Sequence, residues 1–505
     1  MLRGCIVRPA VLNYRTIGSL FIAVILAGCA SIGPAGRAPE SRAAGSACEE
    51  WIVAVDRVVT EVGVADAGAT RVPGFPYLRV NRFIASFGQE ALQDPRLLEA
   101  WAGAARAMDR EGRAIELQNL PARKLAALAA GTTESALART ESCAAERMRV
   151  DFANPAARER AVANARVPDD YERWGRILGL YPVTRIPFAQ GVEQWHREAV
   201  AAFLAHSRGE RPAPGAVRYS PAPAEPLSGR EIAALLPADA AGTLGQLAMS
   251  AGGLERLFAA FAPELEVETE GDFDRVGTVR LRGDARPEVD TARAVVYRRL
   301  SFTRFNGEIL PQLVYTAWFP GRPGSSPLDV LAGNLDGLVF RVTLGRDGAP
   351  LVYDAIHPCG CYHMFFPAAR LRRLPAPNSG DEWAFVPAVL PDVTSGQRVT
   401  LHVQARTHYL TGISVAPSGP SQTYALEDED RLRSLPVPGG GRRSLYAPDG
   451  LVAGSERLER FLFWPMGVPS AGTMRQWGHH ATAFLGIRHF DDPFLMQERF
   501  ASAAP

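Results

Sequence analysis

The segment ARAVVYRRLSFTRFNGEILPQLVYTAWF, residues 292–319, carries the strongest fold signal in the sequence. Two runs rich in β-branched and aromatic residues flank Asn306-Gly307. Both turn residues tolerate a positive φ angle, which a two-residue hairpin turn requires. The segment therefore predicts an antiparallel β-hairpin.

Further strand patterns surround this hairpin. GLVFRVTL and APLVYDAI, residues 337–344 and 349–356, flank a second turn that contains Gly345 and Gly348. QRVTLHVQART, residues 397–407, alternates apolar and polar side chains, which predicts a strand with one solvent-exposed face. We expect a β-rich domain, sandwich or barrel-like, over residues 264–505.

The preceding part of the chain has a helical pattern. Residues 48–207 are rich in Ala, Leu, Arg and Glu, with apolar residues spaced by three and four, which predicts a helical domain. A proline-rich linker, residues 208–228, separates it from a helical segment, residues 229–263, where Ser228 and Glu231 have capping-box spacing. The fold class is therefore predicted to be α+β, with an α-helical N-terminal domain before the β-rich domain.

The N-terminus has the pattern of a secretory signal. Arg3, Arg8 and Arg15 precede an apolar run at residues 17–27, which is too short to span a bilayer. The run ends in Leu26, Ala27, Gly28 and Cys29. These four residues resemble the lipobox of bacterial lipoproteins.

The resemblance implies a lipoprotein signal peptide at residues 1–28 and lipidation of Cys29 after cleavage. Because Ala30 follows the cysteine, it also implies location in the outer membrane, with the lipid-anchored protein at the periplasmic face. Residues 29–47 are small and polar, which is typical of a flexible tether. The membrane is thus the first expected partner.

The predicted periplasmic location is an oxidising compartment, in which disulfides persist. Apart from Cys5 and Cys29, the chain contains Cys48, Cys143, Cys359 and Cys361. We predict a disulfide between Cys48 and Cys143, which would connect the ends of the helical domain and stabilise the fold by up to about 4–5 kcal/mol.

The stretch YDAIHPCGCYHMFFP, residues 353–367, is the candidate site. His357, Cys359, Cys361 and His363 offer imidazole and thiolate donors, and Pro358 and Gly360 favour the bend that would bring them together. Such donors suit zinc or another transition metal, and His479, His480 and His489 are further candidate ligands. Two other interpretations remain: a redox-active Cys359–Cys361 disulfide, and a pair of inert, buried thiols.

The C-terminal half resembles an uncharacterised group of bacterial envelope proteins. The likeness rests on WFPGRP (318–323), LDGLVFRVTL (335–344), IHPCGCYH (356–363) and RQWGHHATAF (475–484). It covers less than half of the chain and implies no particular activity.

Three functions are compatible with the sequence. One is a non-catalytic, lipid-anchored envelope protein with an envelope-protein or cell-wall partner. Another is a metal-dependent hydrolase that faces the periplasm, and the third is a thiol-disulfide redox protein that uses Cys359 and Cys361. The whole chain has 55 basic and 54 acidic residues, and removal of the three arginines in the signal leaves 52 basic and 54 acidic residues. This near balance of charge gives no basis for nucleic-acid binding. The HExxH and GxSxG signatures are absent from the sequence.

Overall fold

The Asn306-Gly307 turn joins two long strands, β7 (Val295–Phe305) and β8 (Glu308–Arg322), in the computed structural model. The φ angles of Asn306 and Gly307 are 52° and 79°, and Phe305 pairs with Glu308 at the end of the ladder. The predicted hairpin is therefore confirmed, because both turn residues adopt the left-handed conformation that it requires.

The structure describes residues 47–128, 131–209, 215–236, 244, 250–326, 329–390, 393, 397–417 and 419–503. The predicted signal peptide, Cys29 and all but the last residue of the predicted tether lie outside these ranges. The remaining strands are β1 (Thr70–Val72), β2 (Phe75–Val80), β3 (Val217–Pro221), β4 (Glu264–Val267), β5 (Thr278–Leu281), β6 (Pro287–Asp290), β9 (Gly333–Leu344), β10 (Pro350–Ile356), β11 (Met364–Pro367), β12 (Leu371–Arg373), β13 (Gln397–Val403), β14 (Leu410–Pro417), β15 (Gln422–Asp428), β16 (Leu435–Pro436), β17 (Arg442–Arg443) and β18 (Phe500–Ser502).

Ten of these strands form one mixed sheet in the order β11-β10-β9-β8-β7-β15-β3-β4-β13-β14. Strand β15 runs parallel to both β7 and β3, and β4 runs parallel to β13, whereas the other neighbours are antiparallel. The β-rich part is thus built on a single large sheet, whose order brings strands from distant parts of the chain side by side.

The helices lie mainly before this sheet in the chain. They are α1 (Ala47–Val62), α2 (Arg82–Ala85), α3 (Gly88–Ala91), α4 (Pro95–Asn119), α5 (Ala122–Ala127), α6 (Thr133–Phe152), α7 (Pro155–Asn164), α8 (Arg173–Leu178), α9 (Tyr181–Ser207), α10 (Gly229–Leu235), α11 (Ala251–Phe261), α12 (Arg460–Phe463) and α13 (Leu495–Arg499). Short 3₁₀ helices cover Asp272–Asp274, Glu429–Arg433 and Trp464–Met466. The predicted α+β class is confirmed by helices at 47–207 followed by a strand-rich region. Helix α10 begins with the predicted capping box of Ser228 and Glu231.

The two largest hydrophobic cores pack the helices and the sheet. The first is helical and includes Trp51, Val55 and Trp101; the second packs helices α9, α10 and α11 against the large sheet. Phe83 stacks on Phe302 with ring centroids 5.5 Å apart, so the helical part contacts the sheet directly. The chain from Ala47 onward forms one compact unit.

Strand β13 differs from its predicted exposure. Thr400 and His402 were expected on a solvent-exposed face, but both are buried. The face is covered because His206 of helix α9 packs on His402, with ring centroids 3.7 Å apart. A strand pattern cannot show which distant helix will cover it.

The structure forms the predicted disulfide between Cys48 of helix α1 and Cys143 of helix α6, whose Cα atoms lie 4.8 Å apart. The bridge connects residues separated by 95 positions. No helix in the described part of the chain has both the length and the apolar character needed to cross a membrane.

Candidate functional site

The HPCGCYH segment forms a tight turn after strand β10. His357 N–H donates to the carbonyl of Cys361 at 3.0 Å, and Gly360 N–H donates to the carbonyl of His357 at 2.8 Å. Gly360 has a φ angle of 90°, and a Cβ at this position would lie 2.5 Å from the carbonyl oxygen of Ala481. The expected bend is therefore present, and a glycine is needed there for both conformation and space.

A buried carboxylate, Asp336 at the start of β9, organises the first half of the turn. Its Oδ1 lies 3.3 Å from His357 Nδ1, and its Oδ2 lies 3.0 Å from His408 Nδ1. His408 also pairs with the buried Asp274, with Nε2 and Oδ1 3.2 Å apart. Arg457 adds a guanidinium 3.2 Å from Asp336 Oδ1. Two histidines, two aspartates and one arginine thus share one desolvated network.

The network shifts the pKa values of His357 and His408 in opposite directions. Burial opposes a charged imidazole in both, but the contacts with Asp274 and Asp336 raise the pKa of His408 above its ordinary value. Burial lowers the pKa of His357 despite its contact with Asp336. Although burial alone would raise it, Arg457 and the histidines hold the pKa of Asp336 well below its usual range. Asp336 is therefore the permanent anion of the group.

The two thiols of the turn are buried and unbridged. The hydrogen bond that Cys361 donates lowers the pKa of Cys359, and the same bond together with burial raises the pKa of Cys361. Arg457 further lowers the pKa of Cys359. Cys359 is the thiol that ionises first, and Cys361 carries the proton of the pair.

His363 belongs to a different polar group. Its Nε2 lies 2.9 Å from Asp354 Oδ2, and Asp354 also accepts a hydrogen bond from Arg341 Nε at 2.9 Å. Burial lowers the pKa of His363 to about 3, so the ring is neutral. Asp354 of strand β10 is thus the partner of His363.

The histidines near the C-terminus contact other partners. His479 Nδ1 lies 3.0 Å from Asp170, and its Nε2 lies 2.9 Å from the carbonyl of Ala67. His489 lies 3.3 Å from Asp169, and its ring packs against Tyr171. His480 is buried near Trp477 and Phe490, and neither ring nitrogen has a hydrogen-bond partner within the described residues.

The candidate metal ligands are therefore distributed over several groups. His357 contacts Asp336 and His363 contacts Asp354. His479 and His489 both approach Asp170, and Cys359 and Cys361 contact each other. Among the described residues, which include all seven candidates, no group of three or more His, Cys, Asp or Glu side chains is arranged to hold a metal ion.

A cavity of about 500 Å³ lies beside this turn. Helix α9 provides one wall, and the turn, the segment around Phe385 and the C-terminal region provide the others. Its lining is largely aromatic and includes Phe188, Trp195, Tyr362, Phe385, Phe463 and Phe484. The ring of Trp195 lies 5.2 Å from those of both Tyr362 and Phe385, so helix α9 and the turn contribute adjoining surfaces.

One buried carboxyl group, Glu459, lines the aromatic cavity. Glu459 is 3% exposed, and burial raises the pKa of its carboxyl to about 7, although Arg457 and Arg322 oppose this shift. Gly472 makes room for the group, because a Cβ there would collide with the carboxylate oxygen. Glu459 is thus placed to exchange a proton near neutral pH.

Two tyrosines connect the cavity to the buried network. Tyr409 donates a hydrogen bond to Tyr362 at 2.7 Å, and both residues line the cavity. The ring of Tyr362 also contacts His357, with centroids 5.0 Å apart. The guanidinium of Arg322 lies 5.0 Å from the centre of the Tyr409 ring. The cavity therefore has an apolar body with a polar end at Glu459 and the two tyrosines, and its lining also includes His196, His363 and the Glu382–Arg488 pair.

The sequence patterns missed several of these residues. Asp336, the centre of the network, lies in strand β9 and was not among the candidate site residues. Its position immediately before a continuous apolar strand was a usable signal, because such a carboxylate is buried with the strand. Glu459 and Trp195 carry no local pattern that distinguishes them from ordinary helical residues.

No family model, curated protein or solved structure matches the chain.

Proposed function

We propose that the chain is a lipid-anchored protein at the periplasmic face of the outer membrane, which binds a small molecule with an apolar body. The lipobox at residues 26–29 supports the anchor. The cavity beside the 357–363 turn supports the binding activity, and it is the observation that carries the proposal.

The cavity has the properties of a small-molecule site. Such sites are concave, mostly apolar and have few polar groups that orient the ligand. Here aromatic rings from helix α9 and the turn form the apolar surface, and Glu459, Tyr362 and Tyr409 provide the polar end. Aromatic walls favour a flat or branched hydrocarbon body over a strongly hydrated one.

The polar end also limits the ligand's head group. At a pH below about 7, Glu459 is protonated and offers an O–H donor to an acceptor on the ligand. A carboxylate or phosphate head would meet an unfavourable charge once Glu459 ionises. A neutral head group with a carbonyl, ether or hydroxyl oxygen is therefore preferred.

A cavity-filling substitution tests the proposal. Gly191 of helix α9 lines the cavity, and a Cβ built on it meets no atom within 4 Å. Gly103 of helix α4 has the same open surroundings away from the cavity. Gly191→Trp and Gly103→Trp are thus matched variants, and both replace a helical glycine by a better helix former.

The measurement is a fluorescence titration with N-phenyl-1-naphthylamine, an uncharged aromatic probe. We expect saturable binding by the wild type and by Gly103→Trp, and at least tenfold weaker binding by Gly191→Trp. Equal affinity in all three proteins would reject the cavity as the binding site.

A second candidate function is thiol-disulfide exchange by Cys359 and Cys361. It is favoured by one observation: Cys361, which lines the cavity, donates the hydrogen bond that lowers the pKa of Cys359. In the reaction, the Cys359 thiolate attacks a disulfide of a partner, and Cys361 then displaces the partner's second thiol. The partner's disulfide is reduced to two thiols while the pair is oxidised. Loss of two hydrogens from the 353–367 peptide after treatment with oxidised glutathione would support this function; unchanged mass would exclude it.

The metal-dependent hydrolase stays a prediction. It requires stoichiometric zinc or another transition metal in the purified, tag-free protein and loss of that metal in Cys359→Ser/Cys361→Ser. Elemental analysis that finds no metal would remove it.

A further inference from the structure

A group of exposed apolar side chains projects from helix α8 and the start of helix α9. Trp174 and Leu178 are 73% and 71% exposed, and the set consists of Trp174, Ile177, Leu178, Leu180, Val183 and Ile186. Exposed apolar side chains of this size are normally scattered singly over a surface. Here they fall within 13 consecutive residues, 174–186.

A second segment adds to the same surface. Leu458, Phe461, Leu462, Trp464 and Ile487 are all exposed. Together with the first set they form what we call the apolar face. Arg176 Nε donates to the carbonyl of Met466 at 2.9 Å, and Glu172 N–H donates to the carbonyl of Gly467 at 2.7 Å. The two segments are therefore packed against each other.

Glycines of helix α8 and its C-terminal end allow this segment to approach the 464–467 segment closely. A Cβ on Gly175 would lie 2.8 Å from the carbonyl oxygen of Trp464, and a Cβ on Gly179 would lie 2.5 Å from the Cβ of Pro465. Helix α8 thus rests directly on the 464–467 backbone. The apolar face is a continuous part of the folded body, because its two halves share these contacts.

The apolar face borders the aromatic cavity. Ile186 is two residues from Phe188, and Leu462 is next to Phe463. Phe188 and Phe463 line the cavity and contact each other, with ring centroids 4.9 Å apart. Phe484 completes this aromatic group at 5.3 Å from Phe463. A molecule that leaves an apolar phase at this face would meet the cavity first.

We propose, on the basis of the anchoring and binding proposed above, that the apolar face seats in the lipid bilayer and that the cavity takes its ligand from the membrane. The charge pattern supports lipid as the occupant. Residues 173–192 contain three arginines and no acidic residue, and residues 460–490 also contain no acidic residue. Arg185 is paired with Asp381 at 3.2 Å, which leaves Arg173 and Arg176 as the basic residues of the first segment without a carboxylate partner among the ion pairs of the described residues. Anionic head groups attract such a surface.

The side-chain types on the apolar face also support lipid as the molecule that covers it. Tryptophan is enriched where a protein crosses the boundary between head groups and hydrocarbon, and Trp174 and Trp464 are both exposed on this face. The predicted anchor limits the distance between the membrane and the start of the folded body. Cys29 precedes Ala47 by 18 residues, which span at most about 65 Å when fully extended. The body is thus held near the bilayer, and its apolar face supplies a second attachment.

Quenching by brominated lipids tests this proposal. The full chain is mixed with phosphatidylethanolamine–phosphatidylglycerol vesicles whose acyl chains carry bromine, and tryptophan emission is compared with unbrominated vesicles. We expect quenching in the wild type and loss of most of it in Trp174→Phe/Trp464→Phe, which alters two of the eight tryptophans.

Variants with charged substitutions on the apolar face provide a second test in the same quenching experiment. Leu178→Glu/Phe461→Glu should abolish quenching, while Val150→Glu, which alters an exposed apolar residue of helix α6, should not. Flotation of the Leu178→Glu/Phe461→Glu variant reports the anchor separately, because this variant has lost the attachment through the apolar face. A charged variant that does not float would argue against lipidation, and the quenching of the wild type would still test the face. Wild-type emission that is not quenched would overturn the proposal whether or not the protein floats. A second copy covers the face instead if the wild type dimerises without lipid and the charged variant does not, and that result would also overturn it.

Discussion

His408 Nδ1 lies 3.0 Å from Asp336 Oδ2, and both side chains are fully buried. This contact joins the turn after strand β13 to the start of β9. Arg457 and His357 contact the same carboxylate, so Asp336 balances positive charge from several segments. A buried network of this kind is costly to break, because removing the anion leaves its partners desolvated and uncompensated.

We therefore predict that Asp336→Asn lowers the free energy of unfolding by about 3–5 kcal/mol. Urea denaturation followed by far-UV circular dichroism measures the change. Asp284→Asn is the control, because Asp284 is exposed and its ion pairs contribute about 0–1 kcal/mol. A similar effect of the two substitutions would show that the network is not the main contribution of Asp336.

Acid pH should destabilise the protein through its buried histidines. Burial lowers the pKa of His363, His402 and His480 to about 3, whereas the unfolded side chains titrate near 6.5. Between these pH values the unfolded state binds the additional protons, so stability falls as pH decreases from about 6.5 toward 3. Each such histidine contributes a slope of about 1.4 kcal/mol per pH unit within this window.

His480→Gln isolates one of these contributions. We expect the slope of unfolding free energy against pH to decrease by about 1.4 kcal/mol per unit between pH 5.5 and 4, because glutamine does not titrate. Denaturation curves at several pH values provide the measurement. An unchanged slope would mean that His480 is protonated in the folded protein.

The sequence predicted those features that depend on neighbouring residues. Asn306-Gly307 specifies its hairpin turn and Ser228 with Glu231 specifies a helix start, since the determining atoms lie within a few residues. The disulfide followed from the small number of cysteines and from the predicted location in an oxidising compartment. A local signal was available for the burial of Asp336, but its partners and the wall formed by Trp195 depend on contacts between segments that are distant in sequence, which no local pattern encodes.

The Cys48–Cys143 disulfide should be a major source of stability. Because it closes a loop of 95 residues, we expect Cys48→Ala/Cys143→Ala to lose up to about 4–5 kcal/mol of unfolding free energy. If the signal peptide is removed and Cys29 is lipidated as predicted, a thiol count in denaturant without reductant should find two thiols, from Cys359 and Cys361. A count of zero would show that the pair is bridged, and a count of four would show that Cys48 and Cys143 are reduced.

Glu459 should make ligand binding depend on pH. Its carboxyl, with a pKa raised to about 7, is protonated below this pH and ionised above it. We expect the affinity for N-phenyl-1-naphthylamine to fall as pH rises through 7, because the apolar ligand then contacts a charge. Glu459→Gln should remove this dependence, whereas Glu198→Gln, an exposed residue that lines the same cavity, should retain it. A wild-type affinity that does not change with pH would exclude Glu459 from contact with the probe.

Native mass spectrometry of the full chain, purified from cells without a denaturing step, tests ligand binding in the cavity most directly. We expect the wild type and Gly103→Trp to carry one apolar small molecule per chain and Gly191→Trp to carry none. The same bound molecule at the same occupancy in Gly191→Trp, or no bound molecule in any of the three proteins, would contradict the account.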